Sequence, residues 1–159
     1  MKQQAVFITK GQDETRQLGT IFARHAYDGL YLALAGDLGA GKTQLAKGVA
    51  QGLGIAGEVT SPTFTILHEY DTEPLAFHHF DLYRLESAAE LSNIGFEEFG
   101  REGVTLVEWA DKFLEELPQY AVHVQMRKQD EMTREIIVRA QDKKAQQWLE
   151  EVEADVARA

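Results

Sequence analysis

The sequence predicts an α/β fold, with a mixed parallel and antiparallel sheet and helices on both faces. Three observations predict it. A glycine-rich run, Gly36-Asp37-Leu38-Gly39-Ala40-Gly41-Lys42-Thr43, separates an apolar strand-like segment from a segment with helical periodicity. Two short strand-like segments lie one turn apart around Asp71-Thr72-Glu73-Pro74, so they read as an antiparallel hairpin. A further apolar run, Val104-Thr105-Leu106-Val107-Glu108-Trp109, reads as a buried strand ending in an acid. The first and third observations form a βαβ core whose strands lie parallel. The second inserts antiparallel pairing after its first helix.

Each element has its own reason. Ala5-Val6-Phe7-Ile8-Thr9 is a first strand by its β-branched and aromatic content. Residues 13–27 carry Leu18, Ile21, Phe22 and His25 at i, i+3, i+4 and i+7, an amphipathic helix. Residues 29–35 are the apolar strand before the glycine-rich run, and residues 44–53 the helix after it, with Gly54 as its stop. In residues 59–70 Pro62 forces an extended approach, and Phe64, Ile66, His68 and Tyr70 alternate with Thr65, Leu67 and Glu69. Residues 75–80 make the returning strand. Ser87-Ala88-Ala89-Glu90 is a capping box that opens a short helix ended by Gly95. Residues 120–126 and 133–140 are strands flanking a polar turn. Residues 141–157 are a closing helix with Trp148, Leu149 and Val152 on one face.

The 159 residues suffice for one domain, read as residues 1–159, which buries roughly 70% of its unfolded surface. With no cysteine, disulfides and thiolate metal sites are excluded. The first twenty residues lack a basic segment followed by an apolar core, and no apolar run reaches the ~20 residues of a membrane span. A cytoplasmic setting is expected. The net charge is −10. Nucleic-acid affinity is dominated by cationic contacts to phosphate, so this balance argues against a direct grip on RNA or DNA. An acidic surface suits a basic protein partner, and solubility alone also explains it.

Residues 36–43 fit G-x-x-x-x-G-K-[ST], the phosphate-binding loop of nucleoside triphosphatases. Glycines let successive backbone N–H groups converge on one concavity, and the following helix adds its positive N-terminal end. The loop residues Asp37, Leu38, Gly39, Ala40 and Gly41 would cradle phosphates. Lys42 would reach the β- and γ-phosphates, and the Thr43 hydroxyl would ligate Mg²⁺. The expectation is a P-loop NTPase-like domain.

Such a loop needs an acidic partner at a strand end. Glu108 ends the more apolar strand and ranks first as metal ligand or water-orienting base. Asp81, after Phe77-His78-His79-Phe80, ranks second as an outer-shell acid. Ser61, Thr63 and Thr65 read equally as a switch segment that brings a hydroxyl to the γ-phosphate or as a Thr-rich strand. His78 and His79 are adjacent, so in a strand they face opposite ways and take partly buried structural roles. Arg84 either offsets phosphate charge or pairs with a carboxylate, the second being the default. Trp109 is placed within reach of the nucleotide by its neighbour Glu108.

Four blocks together resemble the TsaE (YjeE) family: residues 36–43, Ser61-Pro62-Thr63-Phe64-Thr65, His79-Phe80-Asp81-Leu82-Tyr83-Arg84, and Val107-Glu108-Trp109. They keep the family's order and spacing across about residues 10–112, and the stretch after Pro118 carries no matching motif. The resemblance implies a small ATPase required for the threonylcarbamoyladenosine modification of tRNA. It implies that Lys42 and the loop amides bind ATP, that Thr43 and Glu108 serve Mg²⁺, and that Asp81 is a Walker-B-like acid needed for turnover. It points to Gln12 as an adenine-side contact. The family's loop commonly continues Lys-Thr-Thr, where this chain has Gln44 after Thr43. In the family the ATPase docks on the TsaD–TsaB transferase pair, and those partners hold the RNA.

Rival classes are weaker. A GTPase needs [NT]-K-x-D after the loop, and the nearest run, Thr9-Lys10-Gly11-Gln12-Asp13, is one residue too long and precedes it. A small-molecule kinase needs an Arg-bearing lid, and only the scattered Arg84 and Arg101 are at hand. A module that binds without hydrolysis does not need the complete set Lys42, Thr43 and Glu108.

Overall fold

A computed structural model describes residues 2–57 and 66–158. One seven-stranded sheet runs through it in the order β1-β7-β6-β2-β5-β4-β3. The central strands are β2 (Tyr31–Gly36), β5 (Val104–Glu108) and β4 (Phe77–Asp81), parallel to one another, with β6 (Val122–Lys128) parallel to β2 on its other side. β3 (Leu67–Tyr70) pairs antiparallel with β4, the hairpin expected from the turn at residues 71–74. β7 (Thr133–Arg139) returns antiparallel along β6, and β1 (Gln4–Lys10) closes the far edge antiparallel to β7. The part of the predicted strand at residues 59–65 lies outside the described residues, as do Ser61, Thr63 and Thr65.

The helices divide unequally between the faces. On one lie α1 (Gly11–Arg24), α2 (Lys42–Gly52) and α4 (Lys143–Arg158). Leu18, Ile21 and Phe22 of α1, Leu45 and Val49 of α2, and Trp148 and Leu149 of α4 bury against Leu32 and Leu34 of β2. The Trp148 indole N–H donates to the Phe22 carbonyl at 3.0 Å, so this large aromatic is buried with its polar atom satisfied. The other face holds α3 (Ala88–Asn93) and two short 3-10 helices, Phe96–Glu98 and Ala110–Glu116. Their Leu91, Phe96 and Ala110 cover Tyr31, Ala33, Phe80 and Val107. Alternation along β4 and β5 thus sends Phe80 and Val107 to one layer, and Phe77 and Leu106 to the other.

Boundaries differ from the sequence reading where backbone contacts decide them. α1 begins at Gly11 because the Gly11 N–H is held by the Met132 carbonyl at 2.6 Å, a partner 121 positions away. β5 stops at Glu108 because Trp109 takes a left-handed backbone, φ +62°. The 3-10 turn that follows lacks the sustained periodicity that announces a helix.

The placement of the site follows from topology. β2, β5 and β4 are parallel and in register, with Leu34 opposite Glu108 and Glu108 opposite Asp81. Their C-terminal ends therefore open side by side, where the connections from β2 and β5 diverge. That edge is where ligands enter open α/β sheets.

Candidate functional site

The loop between β2 and α2 is shaped by positive-φ backbone at three glycines, Gly36, Gly39 and Gly41. Gly36 has φ +150°, and a Cβ there would stand 2.4 Å from the Met126 carbonyl oxygen of β6. Gly41 has φ +101° and is the N-cap of α2, with no side-chain cap bond. The first amides of α2 therefore keep their donor capacity for an anion. Lys42 opens the helix and folds back along the loop. Its ammonium donates to the Gly36 carbonyl at 2.5 Å and the Asp37 carbonyl at 2.8 Å. Burial pushes the Lys42 ammonium below the ordinary lysine range, with Glu108, Asp111, Asp37 and Asp81 opposing that shift.

The two predicted acids end neighbouring strands beside this helix. The Thr43 hydroxyl donates to Glu108 Oε1 at 3.2 Å. The other carboxylate oxygen, Oε2, meets His79 Nε2 at 2.6 Å, and both side chains are almost fully buried. Asp81 accepts the Tyr83 backbone N–H at 2.9 Å, which turns the chain after β4 and holds the carboxylate at the strand end. His78 points the other way, edge-on to Phe99, as adjacency in a strand requires. His79, expected to be partly buried, is instead fully buried at 1% exposed, because its face of β4 packs into the layer beneath α2, and it touches Glu108.

A cleft of about 840 Å³ opens above the loop. Of the residues singled out in the sequence, Gln12, Leu38, Gly39, Gly41, Lys42, Thr43, Asp81 and Glu108 line it, together with Trp109. Asp37 and Ala40 belong to the loop without lining the cleft; the Ala40 side chain packs into the core instead. Arg84 is exposed and lies outside the lining. Among the described residues no three His, Cys, Asp or Glu side chains cluster to cage a metal. Mg²⁺ needs no cage, because it keeps waters and takes one or two carboxylates with substrate phosphates. Thr43 Oγ1 beside the Glu108 carboxylate, with Asp81 opposite on the next strand, is a hard oxygen set that fits it.

Sequence reasoning missed the far wall. Met132, in the β6–β7 turn, and Arg134, at the start of β7, line the cleft. Arg134 Nη2 donates to the Gly39 carbonyl at 3.1 Å, and its Nη1 donates to the carbonyls of Asp130, Glu131 and Thr133. One guanidinium thus fastens the turn to the phosphate loop, 95 positions away in sequence. No local pattern announces it.

The family described as "Threonylcarbamoyl adenosine biosynthesis protein TsaE" matches residues 9–136, so the match runs past Pro118 and includes Met132 and Arg134. The Bacillus subtilis tRNA threonylcarbamoyladenosine biosynthesis protein TsaE is 41% identical over 145 residues, 91% of this chain and 90% of that one. Its Treponema pallidum namesake is 40% identical over 133 residues, 82% of this chain and 97% of that one. The crystal structure of Bacillus subtilis YdiB superposes with a TM-score of 0.81 at 35% identity, covering 98% of both chains. The chain belongs to the TsaE family of threonylcarbamoyl adenosine biosynthesis proteins.

Proposed function

We propose that this chain binds ATP with Mg²⁺ and hydrolyses it, serving the threonylcarbamoyladenosine modification of tRNA as a cytoplasmic accessory that docks on the TsaD–TsaB pair. The observation that carries the ATPase reading is the meeting of Lys42 and Thr43 with Glu108 and Asp81 at one edge of the sheet. The pathway is supported by the family and by the names of the relatives. No helix among the described residues is long and apolar enough to cross a membrane.

The roles follow from the positions. Loop amides and the N-terminus of α2 bind the phosphate chain, and Lys42 exchanges its two carbonyl partners for phosphate oxygens. Such an exchange replaces neutral acceptors with charged ones, which make stronger bonds. Thr43 and Glu108 hold Mg²⁺, which when bound offsets the charge spread over the transferring phosphoryl group. Asp81, on the adjacent strand, orients the outer shell of that ion or the attacking water. Gln12, at the start of α1, lines the same cleft and is assigned to the adenine side. Intrinsic turnover is low, since enzymes of this kind often complete their site with a partner's residue.

Calorimetry of the purified chain with ATP and with GTP, each with Mg²⁺, together with phosphate release without any added acceptor, tests the reading. ATP binding and phosphate release support an ATPase. Preference for GTP, or phosphate transfer only to an added acceptor, overturns it.

A further inference from the structure

His79 has a geometry that packing alone does not require. It sits on β4 opposite Leu106 of β5, so its ring and the side chain of Glu108, two residues further on, share one face of the sheet. That face packs beneath α2, whose first turn carries Thr43. A continuous line results: a buried bond from His79 Nε2 to Glu108 Oε2 at 2.6 Å, then a partly buried one from Glu108 Oε1 to the Thr43 hydroxyl at 3.2 Å. The ring lies near parallel to Phe77, 5.8 Å between centroids, which fixes its plane. Its other nitrogen, Nδ1, is buried with no hydrogen-bond partner among the described residues.

Two features separate this from an ordinary core histidine. A buried polar atom without a partner is costly, and an apolar side chain of similar size would avoid that cost. The one bond the imidazole makes goes to the carboxylate at the catalytic edge, not to backbone. The imidazole, fixed behind the carboxylate, holds Oε2, while Oε1 meets the Thr43 hydroxyl and the side chain lines the cleft. Groups that orient a metal-binding carboxylate in this way have large effects on metal affinity without touching the metal.

We propose that His79 is the positioning residue of the nucleotide site, holding Glu108 in the rotamer that presents Oε1 to the Thr43-bound Mg²⁺. The inference rests on the ATP–Mg²⁺ reading above. It concerns how Glu108 is aimed and does not depend on a change in protonation.

Three substitutions test it. His79→Leu fills the space and removes the donor. His79→Asn keeps a polar group too short to reach Glu108. His79→Gln places an amide N–H near the position of Nε2. ATP affinity is measured by Trp109 fluorescence in Mg²⁺ and in EDTA, after circular dichroism has matched the folds. Wild type is expected to bind more tightly in Mg²⁺. His79→Leu and His79→Asn are expected to lose about 10- to 100-fold of that gain while keeping wild-type affinity in EDTA. His79→Gln is expected to recover most of it. In turnover with Mg²⁺ the first two should raise KM in step with the weakened affinity and lower kcat as well, and the third should restore both. A core role would move both affinities together or neither, and the glutamine would give no rescue. If wild type gains affinity from Mg²⁺ and all three variants match it, or if His79→Gln behaves as His79→Leu does, the positioning role is overturned and the nucleotide reading stands. If wild type binds no ATP, both fall. Should His79→Leu fail to fold, the contrast between Asn and Gln decides.

Discussion

The Lys42 ammonium lies 4.0 Å from the centroid of the Trp109 indole, against the ring face that a cation prefers. Trp109 reaches this position through a left-handed backbone conformation directly after β5. Tyr83, after β4, packs on the same indole at 5.0 Å between centroids. Lys42 thus rests on the residue that follows the Glu108 strand, and that residue is backed by Tyr83, which follows the Asp81 strand.

Nucleotide binding should therefore be visible in the indole. Phosphate oxygens draw the ammonium away from its carbonyl partners and change the field at Trp109, so ATP with Mg²⁺ should alter its fluorescence. A micromolar affinity corresponds to about −8 kcal/mol. Lys42→Ala should weaken binding about 100-fold, or ~2.7 kcal/mol. Calorimetry gives the affinity independently of the dye-like signal. Equal affinity in Lys42→Ala removes the loop from the binding site.

The two acids should separate kinetically. Glu108→Ala should lower turnover more than it lowers ATP affinity, because the ion it would hold also offsets charge that develops in the transition state. Asp81→Ala should lower turnover as well, and by less if its place is in the outer shell. Steady-state phosphate release by the chain in its reconstituted complex measures both. Wild-type rates in both variants exclude the acids from the chemistry.

The parts of this site legible in sequence are those set by local rules. The loop is eight contiguous residues, both acids end strands that can be read from their own composition, and the hairpin is announced by its turn. His79 is legible as a strand residue, yet its contact with Glu108 depends on which strands are neighbours and in what register. Arg134 and Met132 are reached only because β7 returns along β6 and carries the turn back to Gly11 and Gly39. The edge position of β1 likewise depends on pairing Gln4 with Arg139 across nearly the whole chain. Pairings of this range carry no periodicity for a sequence window to detect.

Packing of the phosphate-loop helix offers a test of the fold. α1 and α2 cross with backbone against backbone: a Cβ on Gly48 would stand 1.9 Å from the Arg16 carbonyl oxygen, and one on Gly19 2.4 Å from that of Leu45. On helix propensity alone Gly48→Ala should stabilise by about 1 kcal/mol. The overlap is with backbone, which cannot rotate away, and overpacking of this kind costs about 1–3 kcal/mol or more. The clash should win, and Gly48→Ala should lower the urea midpoint. A raised midpoint would mean that the helices do not cross this closely.

Asp155 provides a pH test away from the cleft. His25 Nε2 at 2.8 Å and Arg24 Nη1 at 2.7 Å hold its carboxyl below the usual carboxylate range and tie α4 to the end of α1. A carboxyl with a depressed folded-state value adds stability above the ordinary carboxylate range and loses it as the pH falls through its folded value. Wild type should therefore exceed Asp155→Asn in urea midpoint at pH 7, and the gap should close in acid. A gap that persists unchanged at pH 2–3 would assign the effect to something other than this charge.

The partner proposal is testable through linkage. If ATP favours a form of this chain that the TsaD–TsaB pair recognises, its differential affinity for that form sets the size of the effect. The pair must then tighten ATP binding by the same factor by which ATP tightens binding of the pair. Titrating ATP against Trp109 fluorescence with and without the pair gives one factor, and titrating the pair with and without ATP gives the other. Typical couplings are about 5- to 150-fold. The chain itself, with a net charge of −10, should bind free tRNA weakly. Two equal factors above unity identify an ATP-gated accessory. Factors of one, or tight binding of tRNA by this chain alone, would replace that role with a different one, because the charge that repels phosphate would then have to be overcome by a basic surface on the chain itself.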